Sequence, residues 1–166
     1  MSVLLSLVFA VTLDDKPIGE HRFTLLEQGP QLELRSHARF RVNVLGIPAY
    51  RYAHDAVERW QGGCLMSLVS STEDGGKDFK VDWRAKEGCT MSFAYWDPRI
   101  LEQRALLNAQ TGRLEPVAVV RLGEGRWRLR GEKLAIDLSY EGGRWVALDT
   151  ETEGGRRLSY RLERGS

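Results

Sequence analysis

The residues with the most chemical potential lie at alternate positions. From Tyr50 to Trp60 the even-numbered positions are Tyr50, Tyr52, His54, Ala56, Glu58 and Trp60, an aromatic face with one histidine and one carboxylate set into it. Upstream, His21 and Ser36 fall on the apolar sides of their own alternating runs. Imidazole, hydroxyl and carboxylate together could support nucleophilic catalysis, in which a carboxylate orients a base that activates a hydroxyl. Paired through successive hairpins, His21, Ser36 and Glu58 are expected in a row on three neighbouring strands, about 5 Å apart from strand to strand. The order disfavours that chemistry, because serine lies between histidine and carboxylate where histidine should be central. A serine in mid-strand also lacks the exposed turn and backbone donors of an oxyanion site. The alternative is mutual satisfaction, with Ser36 and Glu58 hydrogen bonding His21 and each other in a barrel interior. Glu58 is the most informative of these residues. A carboxylate on an apolar face is costly unless paired, and Arg59 points the other way, so Glu58 requires another polar partner or a solvated cavity.

The elements that must hold these side chains are strands. Leu7, Phe9, Val11 and Leu13 alternate up to turn chemistry at Asp14-Asp15-Lys16-Pro17. A second run follows with His21, Phe23 and Leu25 on one side. The longest run places Leu32, Leu34, Ser36, Ala38, Phe40, Val42 and Val44 on one face and Glu33, Arg35, His37, Arg39, Arg41 and Asn43 on the other. A strand so long must coil, which favours a barrel or a rolled sheet. The stretch around Gly62-Gly63 reads as a hairpin. Phe79, Val81, Trp83 and Ala85 mark a further strand, and Cys89 to Trp96 another. Asp97-Pro98 is a helix start, with Ile100, Leu101 and Leu106 as its apolar side and Asn108 to Gly112 as its end. Strands resume from Leu114 around glycine turns, carrying Trp127, Ile136, Tyr140, Trp145, Leu158 and Tyr160. The expected fold is all-β: one antiparallel barrel or rolled sheet of about eleven strands, lipocalin-like in general form, with a short helix after Asp97.

Closing the hairpins on their turn residues sets Phe9 opposite Phe23, Val11 opposite His21, His21 beside Ser36, Phe40 beside His54, Ser36 beside Glu58, and His54 beside Ser70. In that register Cys64 and Cys89 fall two strands apart, roughly 9–10 Å, beyond the ~7 Å that a disulfide spans. Two buried free thiols are favoured, and a bond requires a bulge or a roll that brings the edges together. The aromatics Phe40, Tyr50, Tyr52, Trp60, Trp83, Phe93 and Tyr95 either pack a core or line a pocket.

The chain's 166 residues suit a single domain. Its 24 basic and 23 acidic side chains are interspersed, so no field is present to collect nucleic acid. No stretch approaches the ~20 apolar residues of a membrane-spanning helix. Neither cysteine has metal-type spacing with a histidine, and no cofactor motif is visible. Val8-Phe9-Ala10 imitates a signal-peptidase site, but no basic residue precedes it, and a first strand is the better reading.

The runs LDDKPIGEHRF (13–23), ARFRVNVLGIPAYRY (38–52), ERWQGGCL (58–65), FAYWDPRIL (93–101), LLNAQTG (106–112) and GGRRLSYRL (154–162) resemble a bacterial family of small, usually exported proteins of the DUF6134 type, a domain of unknown function. The resemblance spans almost the whole chain. It implies an all-β domain and export to the periplasm or beyond; it implies no activity. Family members look as though a signal peptide precedes the first strand, whereas here Met1 almost adjoins it. The leader has then been removed, or this member stays in the cytoplasm.

The leading functional expectation is a non-catalytic envelope protein that binds a small, largely apolar molecule of lipid or isoprenoid type in its lumen. Phe40, Tyr50, Tyr52, His54, Glu58, Trp60, Trp83, Phe93, Tyr95, His21 and Ser36 are the candidate lining. One alternative is an envelope module with a filled core that binds another protein. The third is a hydrolase-like enzyme using His54, or His21 with Glu58.

Overall fold

The structure, a computed structural model, describes residues 1–165, residue 164 by its backbone alone. Six long strands follow one another through tight turns: β1 (Ser2–Leu13), β2 (Lys16–Gln28), β3 (Gln31–Val44), β4 (Ile47–Gln61), β5 (Cys64–Asp74) and β6 (Lys77–Arg84). A small hairpin of β7 (Ala105–Leu107) and β8 (Leu114–Pro116) stands apart from them. The chain then returns to five shorter strands: β9 (Ala118–Gly123), β10 (Arg126–Arg130), β11 (Ala135–Glu141), β12 (Arg144–Glu151) and β13 (Arg157–Gly165).

Eleven strands make one antiparallel sheet in the order β6-β5-β4-β3-β2-β1-β13-β12-β11-β10-β9. Strand β1 is its spine, paired with β2 on one side and β13 on the other, so it joins two meanders. The outer strands β6 and β9 do not pair with each other, and the sheet is therefore rolled rather than closed. Alternation decides what each face carries. On β3, Leu34, Ser36, Ala38 and Phe40 are buried while Arg35, His37, Arg39 and Arg41 are exposed. Gly19 allows the closest approach in this half. Its φ is +150°, and a Cβ there would lie 1.9 Å from the carbonyl oxygen of Arg39, so any side chain would force β2 and β3 apart.

The register differs from the expected one by two residues in each of the first four hairpins. Phe9 faces His21, Phe23 faces Ser36, Phe40 faces Tyr52, and His54 faces Thr72. The cause lies in the loops and bulges. Asp14-Asp15, Leu45-Gly46 and Gly62-Gly63 make two-residue loops, all with positive φ, and irregularities at Val11/Thr12, Val42/Asn43 and Arg59/Trp60 absorb a residue. Because each slip is even, every side chain keeps its face.

The segment between β6 and β9 turns inward and fills the roll. Its Met91, Ala94, Ile100, Leu106, Leu107 and Val117 are buried in one core with Trp60, Leu65 and Leu68 from one meander and Leu129, Leu138 and Trp145 from the other. Here the sequence expectations need correction. Cys89 to Trp96 is not a strand; its only bridge among the described residues joins Ser92 to Leu107. The helix is a single 3-10 turn, Pro98–Glu102, capped by the Asp97 carboxylate and ended at Gln103, so Ala105 to Leu107 is free to form β7. Cys64 and Cys89 form a disulfide, with Cα atoms 5.1 Å apart, rather than two free thiols. The paper register assumed a strand from Cys89 onward. Instead the inward turn carries Cys89 back beside the start of β5, where Leu65 N–H also donates to Thr90 O at 2.8 Å. Among the described residues no helix is long and apolar enough to cross a membrane.

Candidate functional site

Between the first meander, the inner segment and strands β11 and β13 lies a partly open chamber of about 230 Å³. Strands β2, β3 and β4 present His21, Ser36, Tyr52, His54 and Glu58 to it; the inner segment adds Phe93, Tyr95, Trp96, Asn108, Gln110 and Glu115. Ile136 and Tyr160 complete the far wall.

His21 is held at both ring nitrogens, with Nδ1 2.8 Å from the Tyr160 hydroxyl and Nε2 2.7 Å from Ser36 Oγ. A neutral imidazole suits this site, donating through one nitrogen and accepting through the other. Burial presses its pKa well below the usual histidine value, and the neighbouring His54 and His37 add to the effect. His54, on the next strand but one, is bonded through Nδ1 to Thr72 Oγ1 at 2.7 Å. Burial lowers its pKa too, with Asp55 opposing and Arg39 assisting. Its Nε2 makes no protein hydrogen bond among the described residues.

Glu58 does not reach Ser36. Its carboxylate accepts from Ser92 Oγ on the inner segment at 2.6 Å. Burial pushes its pKa up to about 7, with partial compensation from Ser92 and the Trp60 indole. The indole favours the charged form, although Trp60 Nε1 lies outside ordinary hydrogen-bond geometry and is left, like Trp96 Nε1, buried without a partner. The expected row therefore splits: His21 meets Ser36, and Glu58 meets Ser92, eight residues past the end of β6 in the inner segment. The only histidine–carboxylate hydrogen bond among the described residues, His37 Nδ1 to Asp55 Oδ1 at 2.6 Å, is on the exposed outer face. Among the described residues no group of three or more His, Cys, Asp or Glu side chains gathers as a metal site.

The remaining candidates divide between chamber, mouth and core. Tyr52, Phe93 and Tyr95 line the chamber. Phe40 and Tyr50 belong to a second cavity of about 570 Å³ at the end of the roll, with Leu13, Ile18, Val42 and Leu158. Trp60 is fully buried against Trp96, edge to face at 5.5 Å, and Trp83 packs on the same core. The two cavities share Tyr52 and Tyr160 as common walls. Tyr52 is fixed by its hydroxyl, which donates to Gln110 Oε1 at 3.0 Å, and by stacking on Phe40 at 5.3 Å. Tyr50 donates to Asp74, which also accepts from Gln110 at 3.1 Å. Burial raises the pKa of all three tyrosines Tyr50, Tyr52 and Tyr160, so they remain neutral donors.

Sequence reasoning missed Trp96, Asn108, Gln110, Glu115, Ile136 and Tyr160. The polar Asn108-Ala109-Gln110 run read only as a helix terminus. Its Asn108 side chain instead shapes a tight turn, accepting from Gln110 N at 2.8 Å, which aims Gln110 at Tyr52 and Asp74.

No curated protein matches the sequence. A family model does match, over residues 9–163, covering the inner segment, every chamber residue and both meanders except the start of β1 and the end of β13, and the chain belongs to that family, described as Domain of unknown function (DUF6134).

Proposed function

We propose that the protein is a non-catalytic binding module of the bacterial envelope, holding a small and largely apolar molecule with one polar end. The observation that carries this reading is the pair of cavities sharing Tyr52 and Tyr160: the larger is lined by Leu13, Ile18, Phe40, Val42 and Leu158 with Asp74, Glu153 and Arg156 at its edge, and the smaller sets His21, Ser36, His54 and Glu58 among aromatic side chains. An apolar body of lipid or isoprenoid type fits the mouth between Leu13, Ile18, Phe40, Val42 and Leu158. Its polar end would lie toward Tyr52 and the chamber beyond, where His54 Nε2 offers an uncommitted hydrogen-bonding group. About 230 Å³ is below the usual 300–1,000 Å³ of drug-sized ligand pockets, so the inner chamber suits a head group or water rather than a whole lipid.

An enzymatic reading has less support. His21 is engaged at both nitrogens, and Glu58 is bound by Ser92, so neither is poised against the other as a base and its orienter. The Cys64–Cys89 disulfide supports an oxidising compartment, in keeping with export.

The test is native mass spectrometry of protein purified from its own host, followed by lipid extraction. A reproducible apolar adduct, lost in Tyr52→Ala and Phe40→Ala variants that remain folded, is the expected result. Bare protein from the host, unresponsive to added prenyl or acyl compounds, would refute the reading.

A further inference from the structure

The hairpin between β3 and β4 ends in a tip that folding alone does not explain. Val44 and Ile47 pair across a two-residue loop of Leu45 and Gly46, whose φ values are +52° and +78°. Such loops favour Asn-Gly or Asp-Gly, because a left-handed conformation is unfavourable for a bulky side chain. This one carries leucine at the strained position, and Leu45 is 97% exposed, with Ile47 at 68% and Val44 at 55%. Three large apolar side chains thus project into solvent from one turn, and one of them is held in a conformation it resists.

The surroundings indicate what covers them. A groove at the foot of the tip is lined by Leu13, Ile18 and Val42 together with Lys16, Arg41 and Arg156, and no carboxylate lines it. Arg156 is paired with Asp14 at 2.8 Å, but Lys16 and Arg41 have no ion pair among the described residues. The neighbouring Asp15 is neutralised by Arg157. An apolar point above unpaired cations is complementary to an anionic bilayer, with acyl chains at depth and phosphates at the surface. A tip of four residues is too small for a stable protein interface, which buries about 1,200–2,000 Å² in total.

We propose that the β3–β4 tip and the Lys16–Arg41 groove dock the protein onto an anionic lipid surface. The groove shares Leu13, Ile18, Val42 and Arg156 with the mouth cavity, so docking turns the mouth toward the membrane. The inference stands on the tip and groove alone and does not require a ligand in the roll.

The test is co-sedimentation of the full chain with phosphatidylcholine vesicles that do or do not contain phosphatidylglycerol. Binding is expected only to the anionic vesicles and should weaken with salt. The double variant Leu45→Ser/Ile47→Ser should lose at least about tenfold in affinity. Lys16→Ser and Arg41→Ser should each lose roughly fivefold. Near-UV circular dichroism confirms that each variant is folded, and Thr72→Val, deep in the roll, should bind vesicles like the parent. Equal binding to both vesicle types, undiminished binding by the tip variant, or tip-dependent self-association in sedimentation velocity without vesicle binding would each overturn the proposal. Absence of any apolar adduct from the parent protein in mass spectrometry, with vesicle binding intact, would count against the ligand reading alone.

Discussion

The two meanders that meet at β1 obey the same alternation and bury different things. Inward positions on β3, β4 and β5 include Ser36, His54, Glu58, Ser70 and Thr72. On β10, β11 and β12 the buried side chains are Leu129, Ile136, Leu138, Tyr140, Trp145 and Leu148. The second wall is an ordinary core, cemented by Phe9 against Trp145 at 4.0 Å between ring centres. The first sets five polar side chains among apolar ones such as Leu34, Ala38, Phe40, Trp60, Leu65 and Leu68, and each polar one is held by a specific partner. Both halves feed the one apolar core, but only the first sets buried polar side chains among its inward apolar ones. The strands reflect this division: β2 to β5 have 11 to 15 residues, long enough to carry a polar middle between apolar ends, whereas β9 to β12 have 5 to 8.

The strongest way to break this contrast is to weaken the apolar wall. Trp145→Ala should cost about 4 kcal/mol, measured by denaturant unfolding, and a cost below ~1 kcal/mol would mean that the second meander is not the scaffold. Next, removing the disulfide with Cys64→Ser/Cys89→Ser opens a loop whose ends are 25 residues apart. The expected loss is about 3.5 kcal/mol by chain entropy, seen as a lower melting temperature that reductant does not lower further.

Glu58 tests the polar wall. Its folded pKa of about 7 lies above the ordinary 4.5, so folding favours the protonated form. Its contribution is fully present below pH 4.5 and is lost as pH rises toward 7, a difference of about 3 kcal/mol. Glu58→Gln should match the parent near pH 4.5 and become progressively more stable than it up to pH 8. Parallel stability curves would show that Glu58 titrates normally. The buried histidines act in the opposite sense: with depressed folded pKa values, His21 and His54 withdraw stability as pH falls below 6.5. The smallest effect belongs to Thr72→Val, which removes the partner of His54 Nδ1. It should cost about 1 kcal/mol and raise the protonated fraction of His54 at a given pH little, since burial dominates; histidine NMR titration reads both.

The faces were legible in the sequence because a period of two survives any even error. His21, Ser36, His54 and Glu58 were all placed inward, and they are inward, although every hairpin register was two residues out. The His21–Ser36 contact survived the slip because a diagonal neighbour in a sheet is still within reach of an imidazole. The Ser36–Glu58 contact did not, since neither side chain is long enough to recover two residues of strand. The inner segment was illegible for a different reason. Its buried residues, Met91, Ala94, Ile100, Leu106 and Leu107, have no common period, and their positions follow from tertiary contacts that no local pattern encodes. The disulfide was hidden with it, because the pairing of Cys64 and Cys89 depends on that reversal.

The inner segment is bonded to the two meanders unequally. The disulfide, the Leu65–Thr90 backbone bond, and side-chain bonds from Ser70 to Ala109, Tyr52 to Gln110 and Ser92 to Glu58 all fasten it to β4 and β5. Toward the second meander, among the described residues, its Tyr95 carbonyl accepts from the Tyr140 hydroxyl of β11 and the remaining contact is apolar. Apolar contacts have no fixed direction, so they tolerate sliding that hydrogen bonds resist. With the β6 and β9 edges unjoined, the inner segment takes its register from directional bonds to β4 and β5 and meets the C-terminal wall chiefly by packing.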